Sequence, residues 1–475
     1  MGRVSPYASA SAEVRTEELT DMNENESKSQ DFNRRDFLRG GSAATLMTLL
    51  GGVELYAQTA AEPAAEKSGA AKLKVAVIGL GPWGREILNT LARVPLAEVA
   101  AICDNYPASI RRCAKDFPNV ATSQDYKTIL ANPDIPAVVI ATPTHKHKDI
   151  VLDALKAGKH VYCEAPLANT IEDARAIALA AKAAGQSLFQ AGLQGRSDPQ
   201  QAFVLKFIHS GAVGQIVLAR AQWHKKTSWH AQSSDSDREK DLNWRLDKTI
   251  SLGLVGEIGC HAVDQAAWFL GAKPSAVSGS GSLLVWNDDG RDVPDTVQAS
   301  FEFPGGVSLI YDATLCNSFD ASYEMLYGAN AAVMSRDGKT WMFKEVDSPL
   351  LGWEVYAAKD QFYKDTGIAL LADASKPRPT GGQAVDALTT TPLFGALQTF
   401  VRNGIDLSEA KKLYIEAVGD ADVEGLNHHL SKEVLLRPAA GYLEGFQATV
   451  AVVKANEAIL AGRRVAIKPE LYELA

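Results

Sequence analysis

"KVAVIGLGPWG", residues 74–84, decides the fold that this sequence predicts. A run of apolar, partly β-branched residues leads directly into the pattern G-x-G-x-x-G, and a helical pattern, REILNTLARV, follows at once. Gly79 permits the tight turn, Gly81 lets the backbone approach a pyrophosphate, and Gly84 lets the helix pack closely on the strand. This order predicts the start of a dinucleotide-binding Rossmann unit, in which the helix N-terminus stabilises the phosphate charge.

The residue after the second apolar run, EVAAIC, selects between the two nicotinamide dinucleotides. Asp104 lies twenty residues beyond Gly84, where a carboxylate accepts hydrogen bonds from a ribose diol. A 2′-phosphate would be repelled by that carboxylate, so Asp104 favours NAD over NADP. Arg111 and Arg112 keep NADP open as the alternative. Trp83 lies inside the glycine loop and is predicted to contact the cofactor.

The chain then alternates predicted strands and helices, which indicates a doubly wound parallel sheet. These elements are strands 137–141, 160–163 and 187–190 and helices 146–157 and 171–184. Ligands of such sheets bind at the carboxyl ends of the strands. The candidate cofactor-binding residues at those ends are Thr142, Pro143, His145, His147 and Glu164, with Ala165 and Gly192 beside them.

The composition excludes several classes of protein. With 46% hydrophobic and 22% charged residues, the 475-residue chain is long and apolar enough for two or three globular domains. Its formal net charge of −9 provides no basic field for nucleic acid. The five cysteines lack the spacing of a zinc site or a disulfide framework, and the pairs His145/His147 and His428/His429 lack a third ligand. No metal site is therefore predicted.

The N-terminus resembles a twin-arginine export signal. Residues 34–38, RRDFL, stand before fourteen uncharged residues, 40–53, and small residues follow at 57–61, where a peptidase could cut. The uncharged stretch is too short to span a bilayer core of about 30 Å as a helix. We expect an exported, periplasmic protein that uses the twin-arginine machinery and keeps no stable membrane span after processing. Our hypothesis for the translation start is Met22.

Four segments follow from these patterns. Residues 1–61 are assigned to the export signal and cleavage region, and residues 62–71 to a flexible linker. Residues 72–191 form the predicted NAD(P)-binding Rossmann domain. Residues 192–475 form the predicted α+β domain for substrate binding and oligomerisation, with a C-terminal elaboration. Alternating runs such as IVLARAQWH, TVQASFEF and VSLIYDATL predict strands in this second domain.

Two motifs of the first domain resemble the glucose-fructose oxidoreductase and inositol dehydrogenase family, Gfo/Idh/MocA. The family pattern T-P-x-H-x-H is similar to residues 142–147, and A-G-K-H-V-x-x-E-K-P is similar to residues 157–166. The sequence departs from the family at Ala165, where relatives have a lysine that handles a proton. The resemblance implies a second domain with an open, mostly antiparallel sheet that commonly mediates oligomers, so we expect a homo-oligomer.

The resemblance extends into the second domain. The family pattern D-x-G-x-H-x-x-D is similar to residues 257–264, with Glu257 in the place of the aspartate. The likeness covers residues 72–345 and 438–475, whereas residues 346–437 are an elaboration without an assigned role.

The resemblance places His261 against the substrate, near the nicotinamide. Oxidation of a sugar hydroxyl removes its proton as hydride leaves the same carbon, which needs a base with a pKa near neutrality. Glu257 is four residues away, so on a continuous helix its carboxylate would share a face with the imidazole and orient it. The two are the candidate catalytic residues. The alternative for His261 is a residue that caps or fills the helix.

Three further residues are candidate substrate contacts. Asp264 binds a sugar hydroxyl, orients the catalytic histidine, or forms a salt bridge in the core. Arg196 resembles a substrate-side position in relatives and is otherwise a loop arginine. Lys225 lies between Trp223 and Trp229, in a stretch that offers ring faces for stacking on a sugar and donors for its hydroxyls. The alternative for this stretch is packing alone.

The alanine at position 165 leaves three interpretations open. The chain has lost activity and only binds its cofactor, or another base suffices, or the reaction differs from simple dehydrogenation. Loss of one acid or base group slows a reaction by about 10² to 10⁴ without abolishing it.

The export signal constrains these interpretations, because free NAD is not expected outside the cytoplasm. A cofactor loaded before export and held for hours needs a Kd of about 10⁻¹⁰ M. We therefore expect an exported oxidoreductase that retains NAD(P) tightly and acts on a sugar or sugar derivative. A redox-neutral NAD-dependent glycosidase is the alternative, and a non-catalytic cofactor-binding protein is the third possibility.

Overall fold

The computed structural model describes residues 72–348, 368–370 and 391–474 of the chain. The predicted export signal, its cleavage region, the linker and the proposed start at Met22 all lie outside the described residues. Within the described ranges, no helix combines the length and the apolar composition that crossing a membrane requires.

The first domain is built on a six-stranded parallel sheet. Its strands follow the order β3-β2-β1-β4-β5-β6, and every pairing is parallel. The order reverses between β1 and β4, which creates the crevice where such sheets bind ligands. This confirms the predicted doubly wound fold. The strands are β1 Leu73–Ile78, β2 Ala97–Cys103, β3 Ala121–Ser123, β4 Ala137–Ile140, β5 His160–Cys163 and β6 Phe189–Ala191.

Helices cover this sheet because their apolar residues recur on one face. In the first helix Ile87, Leu88 and Leu91 are buried against the strands. The last of these helices begins where the Thr170 side chain accepts a hydrogen bond from the Asp173 amide. The helices are α1 Pro82–Leu91, α2 Pro107–Asp116, α3 Tyr126–Leu130, α4 His147–Lys156 and α5 Ile171–Ala183.

The second domain contains a mostly antiparallel sheet, as predicted. Among the described residues it has nine strands in the order β14-β13-β12-β11-β7-β10-β9-β8-β15, and only the β7–β10 pairing is parallel. The strands are β7 Ile216–His224, β8 Ala276–Ser282, β9 Thr296–Glu302, β10 Ser308–Thr314, β11 Ser322–Gly328, β12 Ala331–Arg336, β13 Lys339–Lys344, β14 Ile368–Leu370 and β15 Val465–Ala466.

The inner face of this sheet carries the helix on which His261 lies. The helices of this domain are α6 Pro199–His209, α7 Ser236–Leu242, α8 Gly253–Glu257, α9 Gly259–Leu270 and, near the C-terminus, α12 Tyr442–Ala461. A Cβ at Gly259 would lie 2.9 Å from the Tyr311 ring, and the Tyr311 hydroxyl donates to the Leu254 carbonyl at 3.2 Å. Glycine therefore allows the start of α9 to sit directly on the sheet.

The helix α12 joins the two domains. The Thr449 hydroxyl accepts a hydrogen bond from the buried Leu167 amide at 3.0 Å, and a Cβ at Gly445 would lie 2.8 Å from the Ala191 side chain. The C-terminal segment therefore packs closely against the loop and strand that end the first domain.

The helices α10, Pro392–Val418, and α11, Val423–Lys432, pack on the first sheet. Phe400 is fully buried there, with its ring centroid 5.7 Å from that of Tyr162 on β5. The His160 ring bonds the Ser408 hydroxyl at 2.9 Å. This placement differs from the sequence-based division at residue 192, because the apolar face of α10 completes the core of the first domain.

Candidate active site

The nucleotide loop has the shape that its glycines predict. Gly79 has φ +96°, and a Cβ there would lie 2.7 Å from the Ala141 backbone. A Cβ at Gly84 would collide with the Gly79 carbonyl oxygen, whereas a Cβ at Gly81 would meet no atom within 4 Å. Gly79 and Gly84 are therefore needed for the turn and the packing, and Gly81 borders open space where a pyrophosphate can approach.

The N-terminus of α1 faces this open space. Gly81 caps the helix without a side-chain hydrogen bond, and the first turn contains no acidic residue. Its free amide groups and positive dipole end can stabilise a phosphate. Trp83 is 40% exposed, and its side chain lies near enough to Glu164 to oppose the rise in the pKa of that carboxyl group. The loop and the carboxyl end of β5 thus meet at this edge of the sheet.

Asp104 is held at the end of β2 by two backbone amides. It is 8% exposed, and its two oxygens accept hydrogen bonds of 2.8 Å from the amides of Leu80 and Tyr106. Each carboxylate oxygen keeps a second lone pair, which a ribose hydroxyl can use. Arg111 and Arg112 are exposed on α2. The carboxylate, the open space at Gly81 and the free helix end together fit NAD.

The loop after β4 combines a structural histidine with unpartnered polar atoms. His147 is buried, with Nε2 2.9 Å from the Thr142 carbonyl oxygen and Nδ1 3.2 Å from the Leu167 carbonyl oxygen. Burial lowers its pKa to about 4, so at neutral pH the ring carries one N–H and donates to one of these two carbonyls. The Thr142 hydroxyl and His145 Nδ1 are buried without a hydrogen-bond partner among the described residues. Such atoms are rare in folded proteins, which fits a loop that contacts a ligand beside Pro143.

Glu164 and Ala165 lie at the end of β5. Glu164 is 6% exposed, and its Oε1 has no hydrogen-bond partner in the described part of the chain. Burial raises its pKa to about 7. A Cβ at Gly192 would lie 2.8 Å from Glu164 Oε2, so a larger residue there would displace the carboxyl group. Ala165 packs on the core and presents only a methyl group.

Glu257 does not orient His261. The helix breaks at Ile258, which has φ −119° and lies between α8 and α9. Glu257 Oε2 accepts a hydrogen bond of 2.8 Å from the Thr144 hydroxyl, and Oε1 accepts one of 3.2 Å from the Leu252 amide. The carboxylate therefore points toward the first domain. This corrects the expectation that four-residue spacing places both side chains on one continuous helical face.

His261 lies in the first turn of α9, where protein atoms enclose the ring while part of the residue keeps contact with solvent. Burial lowers its pKa to about 4. This is below the near-neutral value that the reaction predicts for a base, because the charged imidazolium loses its hydration. At neutral pH the ring is uncharged and can accept a proton.

Arg196 and Asp264 bind each other. The Arg196 guanidinium donates two hydrogen bonds of 2.8 Å to the Asp264 carboxylate, and it lies 5.3 Å from the centroid of the Trp268 ring. Burial raises the pKa of Asp264, and Arg196 opposes that rise. This is the salt bridge that the sequence left open as the alternative for Asp264. Lys225 is exposed beyond the end of β7, where its amide donates to the Thr314 carbonyl at 3.0 Å.

A group formed by two tryptophans and an arginine lies beside the loop after β4. The Arg245 guanidinium carbon is 4.4 Å from the centroid of the Trp244 ring and 5.9 Å from that of Trp229. The Trp244 and His145 ring centroids are 5.8 Å apart. Trp229 has a left-handed backbone, with φ +61°, and non-glycine residues in this conformation cluster at functional sites.

Comparison with known proteins decides the family. Residues 73–192 match the family model for the oxidoreductase family with an NAD-binding Rossmann fold, and residues 203–333 match the GFO/IDH/MocA C-terminal domain. The two matches together cover more than half of the chain. The chain belongs to the Gfo/Idh/MocA oxidoreductase family. Its first domain is an NAD-binding Rossmann domain, which confirms the cofactor predicted from Asp104.

Several members of the Gfo/Idh/MocA family are similar to this chain. Levoglucosan dehydrogenase of Pseudarthrobacter phenanthrenivorans is 31% identical over 208 residues, which are 42% of this chain and 51% of the relative. Inositol 2-dehydrogenase of Rubrobacter xylanophilus is 31% identical over 202 residues, 42% of this chain and 52% of the relative. The chain thus spans about half the length of these two curated relatives.

Solved structures show the same fold. A levoglucosan dehydrogenase in complex with NADH and levoglucosan has a TM-score of 0.62 and 21% identity over 83% of this chain and 99% of that one. An oxidoreductase domain protein from Kribbella flavida has a TM-score of 0.62 and 19% identity over 84% of this chain and 100% of that one.

Sequence reasoning missed Trp244 and Arg245 in this family member. Neither residue stands in a periodic pattern, and Arg245 adjoins no candidate catalytic residue in the sequence. One sequence feature could have indicated them. The pair Trp244-Arg245 stands shortly before the glycine-rich segment 252–259, in a loop with few other apolar residues.

Proposed function

We propose that this protein is an NAD-dependent oxidoreductase that oxidises a hydroxyl group of a sugar or sugar derivative. The observation that supports it most is the 2.8 Å hydrogen bond from Thr144 to Glu257. It joins the ligand-binding edge of the Rossmann sheet to the segment before α9, so His261 lies on the helix that follows this contact. NAD, when bound, supplies the acceptor for the hydride.

The candidate active-site residues then have roles in proton transfer, in positioning the domains and in binding the sugar and the dinucleotide. The neutral His261 ring accepts the hydroxyl proton, because its lowered pKa leaves it unprotonated at neutral pH. Glu257 and Thr144 hold the two domains at a fixed separation around the reacting carbon. The half-buried Trp229 ring provides an apolar surface on which a sugar ring can stack. The Rossmann loop and Asp104 bind the dinucleotide.

We also propose export through the twin-arginine machinery, with the cofactor loaded beforehand and retained. The motif at residues 34–38 supports export. A contact across the cofactor edge supports retention: the Arg238 guanidinium on α7 lies 4.3 Å from the centroid of the Tyr106 ring. Tyr106 follows Asp104 closely, so α7 of the second domain covers the ribose end of the cofactor site. Assembly into a homo-oligomer through the outer sheet face, where Ile310 is 41% exposed, belongs to the same proposal.

The purified protein, without added NAD, tests these proposals. We expect native mass spectrometry to find bound NAD, and absorbance at 340 nm to rise when a sugar substrate is added. His261→Ala should lower the rate about 10² to 10⁴-fold without loss of bound NAD. His209→Ala is the matched control, because His209 is exposed on α6. Full activity in His261→Ala would refute its role as the base, and bound NAD without turnover of any sugar would favour a cofactor-binding protein.

A redox-neutral glycosidase is the second candidate function. In that reaction oxidation at C3 acidifies the C2 proton, the aglycone leaves, water adds, and the ketone is reduced again. It needs a second acid or base besides His261, and Glu164, with a pKa of about 7 and an unpartnered Oε1, supports this alternative. Aryl glycosides in D₂O distinguish the two functions: the glycosidase releases phenol and places deuterium at C2, whereas the dehydrogenase does neither.

A further inference from the structure

The 3₁₀ turn Gln194–Ser197 connects the end of β6 with α6 and lies beside the helix that carries His261. Two backbone hydrogen bonds of 3.2 Å, donated by the amides of Arg196 and Asp198, close the turn. From this turn Arg196 donates two hydrogen bonds of 2.8 Å to Asp264 on α9. The position of the turn therefore determines where this ion pair lies.

The ion pair lies close to the proposed base. Asp264 follows His261 by three residues on the continuous helix α9, and this spacing places both side chains on one face of the helix. The bonds to Asp264 use Nε and Nη2 of Arg196, and its Nη1 group makes no hydrogen bond to the described residues. This group can donate to a hydroxyl of a sugar that binds at His261.

The helix α10 packs on the same turn from the first domain. A Cβ at Gly395, near the start of α10, would lie 3.7 Å from the Ser197 carbonyl oxygen. The Gln190 side chain on β6 donates to the Ala396 carbonyl at 2.9 Å, and both of these residues are buried. Phe400 anchors α10 in the first core. The start of this helix therefore contacts both the turn and the strand that leads into it.

The turn also has little space on the side of α9. A Cβ at Gly195 would lie 3.4 Å from Gln265 Oε1, so a displacement of the turn would meet α9. The start of α9 is held separately, because a Cβ at Gly259 would lie 2.9 Å from the Tyr311 ring on the second sheet. Movement of the turn should therefore shift the ion pair more than it shifts His261.

We propose that α10 positions the substrate side of the cleft: through two positioning residues, Gly395 and Gln190, it holds the 3₁₀ turn, and with it the ion pair of Arg196, beside the proposed base. Close-packed interiors are barely compressible, so they transmit such a displacement instead of absorbing it. The proposal gives a role to part of the segment 346–437, for which the sequence indicated none. It rests on the proposed oxidoreductase function.

Two variants of the NAD-loaded protein disturb this contact in different ways. Gly395→Val introduces a β-branched side chain, which has one preferred rotamer in a helix and should push the turn away. Gly395→Ala should fit, because its Cβ would lie 3.7 Å from the nearest atom of the turn. Gln190→Leu removes the hydrogen bond to α10. It should fold, because it also removes a buried Oε1 that has no partner in the described ranges.

Gly404→Ala is the matched control on the same helix. A Cβ at this position would lie 3.0 Å from Leu73 Cδ2, about 13 Å further along α10 than Gly395. This variant should lower the thermal midpoint by crowding α10 against β1, without moving the turn. It therefore separates the proposed positioning from a general loss of stability.

Hydrogen exchange of residues 193–198, followed by mass spectrometry, tests the contact without turnover. We expect exchange about tenfold faster in Gly395→Val and Gln190→Leu than in wild type, since both loosen the turn. Gly395→Ala and Gly404→Ala should exchange as wild type does. Native mass spectrometry should find NAD bound in all four variants.

Steady-state kinetics test the role in substrate binding. D-glucose, D-galactose and D-mannose are the probes, and the sugar with the highest wild-type kcat/KM is used for every variant. In Gly395→Val and Gln190→Leu, KM should rise about tenfold while kcat changes less than about twofold, because His261 is held by other contacts. Both constants should stay at their wild-type values in Gly395→Ala and Gly404→Ala.

Wild-type exchange of residues 193–198 in folded Gly395→Val or Gln190→Leu would overturn the proposal, whatever the activity. A KM that stays unchanged when the exchange increases, or that rises equally in Gly404→Ala, would overturn it as well. If the exchange increases as expected but the wild-type protein oxidises none of the three sugars, the proposed oxidoreductase function fails for them, while the support of the turn by α10 stands.

Discussion

At the scale of single residues, Glu164 has an environment that opposes its charged form. It is 6% exposed, and burial raises its pKa to about 7. Between pH 4.5 and 7, the folded protein therefore keeps a proton on Glu164 that the unfolded chain has lost. By linkage, protonated Glu164 stabilises the fold fully at a pH below the pKa that it has in the unfolded chain. This stabilisation is lost as the pH rises through its pKa in the folded protein.

Replacing Glu164 with glutamine should therefore stabilise the fold in alkaline solution. At pH 8 we expect Glu164→Gln to be more stable than wild type by about 3 kcal/mol, and the difference should shrink toward zero near pH 4. Urea unfolding at pH 4.5, 6, 7 and 8 measures it. Sugar oxidation should fall in the same variant, as is common when a strained site is relieved. An equal stability difference at every pH would contradict the raised pKa.

At the scale of elements, Gly81 in the nucleotide loop and Gly259 at the start of α9 have different roles. A Cβ at Gly81 would meet no atom within 4 Å, whereas one at Gly259 would lie 2.9 Å from the Tyr311 ring. The first position faces the place of the cofactor, and the second sets the distance between α9 and the second sheet.

Alanine at these two positions should therefore have different effects. Gly81→Ala should leave the thermal midpoint of the NAD-free protein nearly unchanged and weaken NAD binding. Gly259→Ala should lower the stability by about 1 to 3 kcal/mol, because the sheet and helix must separate. Thermal unfolding and titration of the NAD-free protein with NAD measure the two effects. Wild-type NAD affinity in Gly81→Ala would contradict the close approach of a pyrophosphate.

At the scale of the whole molecule, the helices α10 and α11 complete the first domain although they follow the second domain in sequence. Phe400 is fully buried against strands that lie more than two hundred residues earlier in the chain. We expect Phe400→Ala to lower the unfolding free energy by about 3 to 5 kcal/mol. Chemical denaturation followed by circular dichroism checks this, with Leu413→Ala, a 64% exposed residue of the same helix, as the control. Similar values for both variants would show that α10 is not part of the core.

Arg238 on α7 of the second domain contacts Tyr106, beside the proposed ribose end of the cofactor site. If the protein retains NAD in this way, Arg238→Ala should release it about tenfold faster, since a partly desolvated cation–π contact contributes about 1 to 2 kcal/mol. Rapid dilution, with an enzymatic assay of the NAD that passes a protein-retaining filter over time, measures the release. Lys240→Ala, an exposed residue of the same helix, should leave the release rate unchanged. Equal rates in both variants would argue against α7 as a cover of the site.

The sequence by itself determined the Rossmann unit, the preference for NAD and the presence of strands in the second domain, and the resemblance of its motifs to the family implied that the second sheet is mostly antiparallel. Those features depend on short-range patterns: glycines at fixed offsets, one carboxylate after a strand, and alternation along single strands. Only the tertiary structure decided that Glu257 turns from His261 to Thr144, 113 residues away, that Arg245 joins the site, and that α10 packs on the first sheet. Each of these contacts forms between distant segments whose approach depends on the packing of both domains, which no local periodicity specifies.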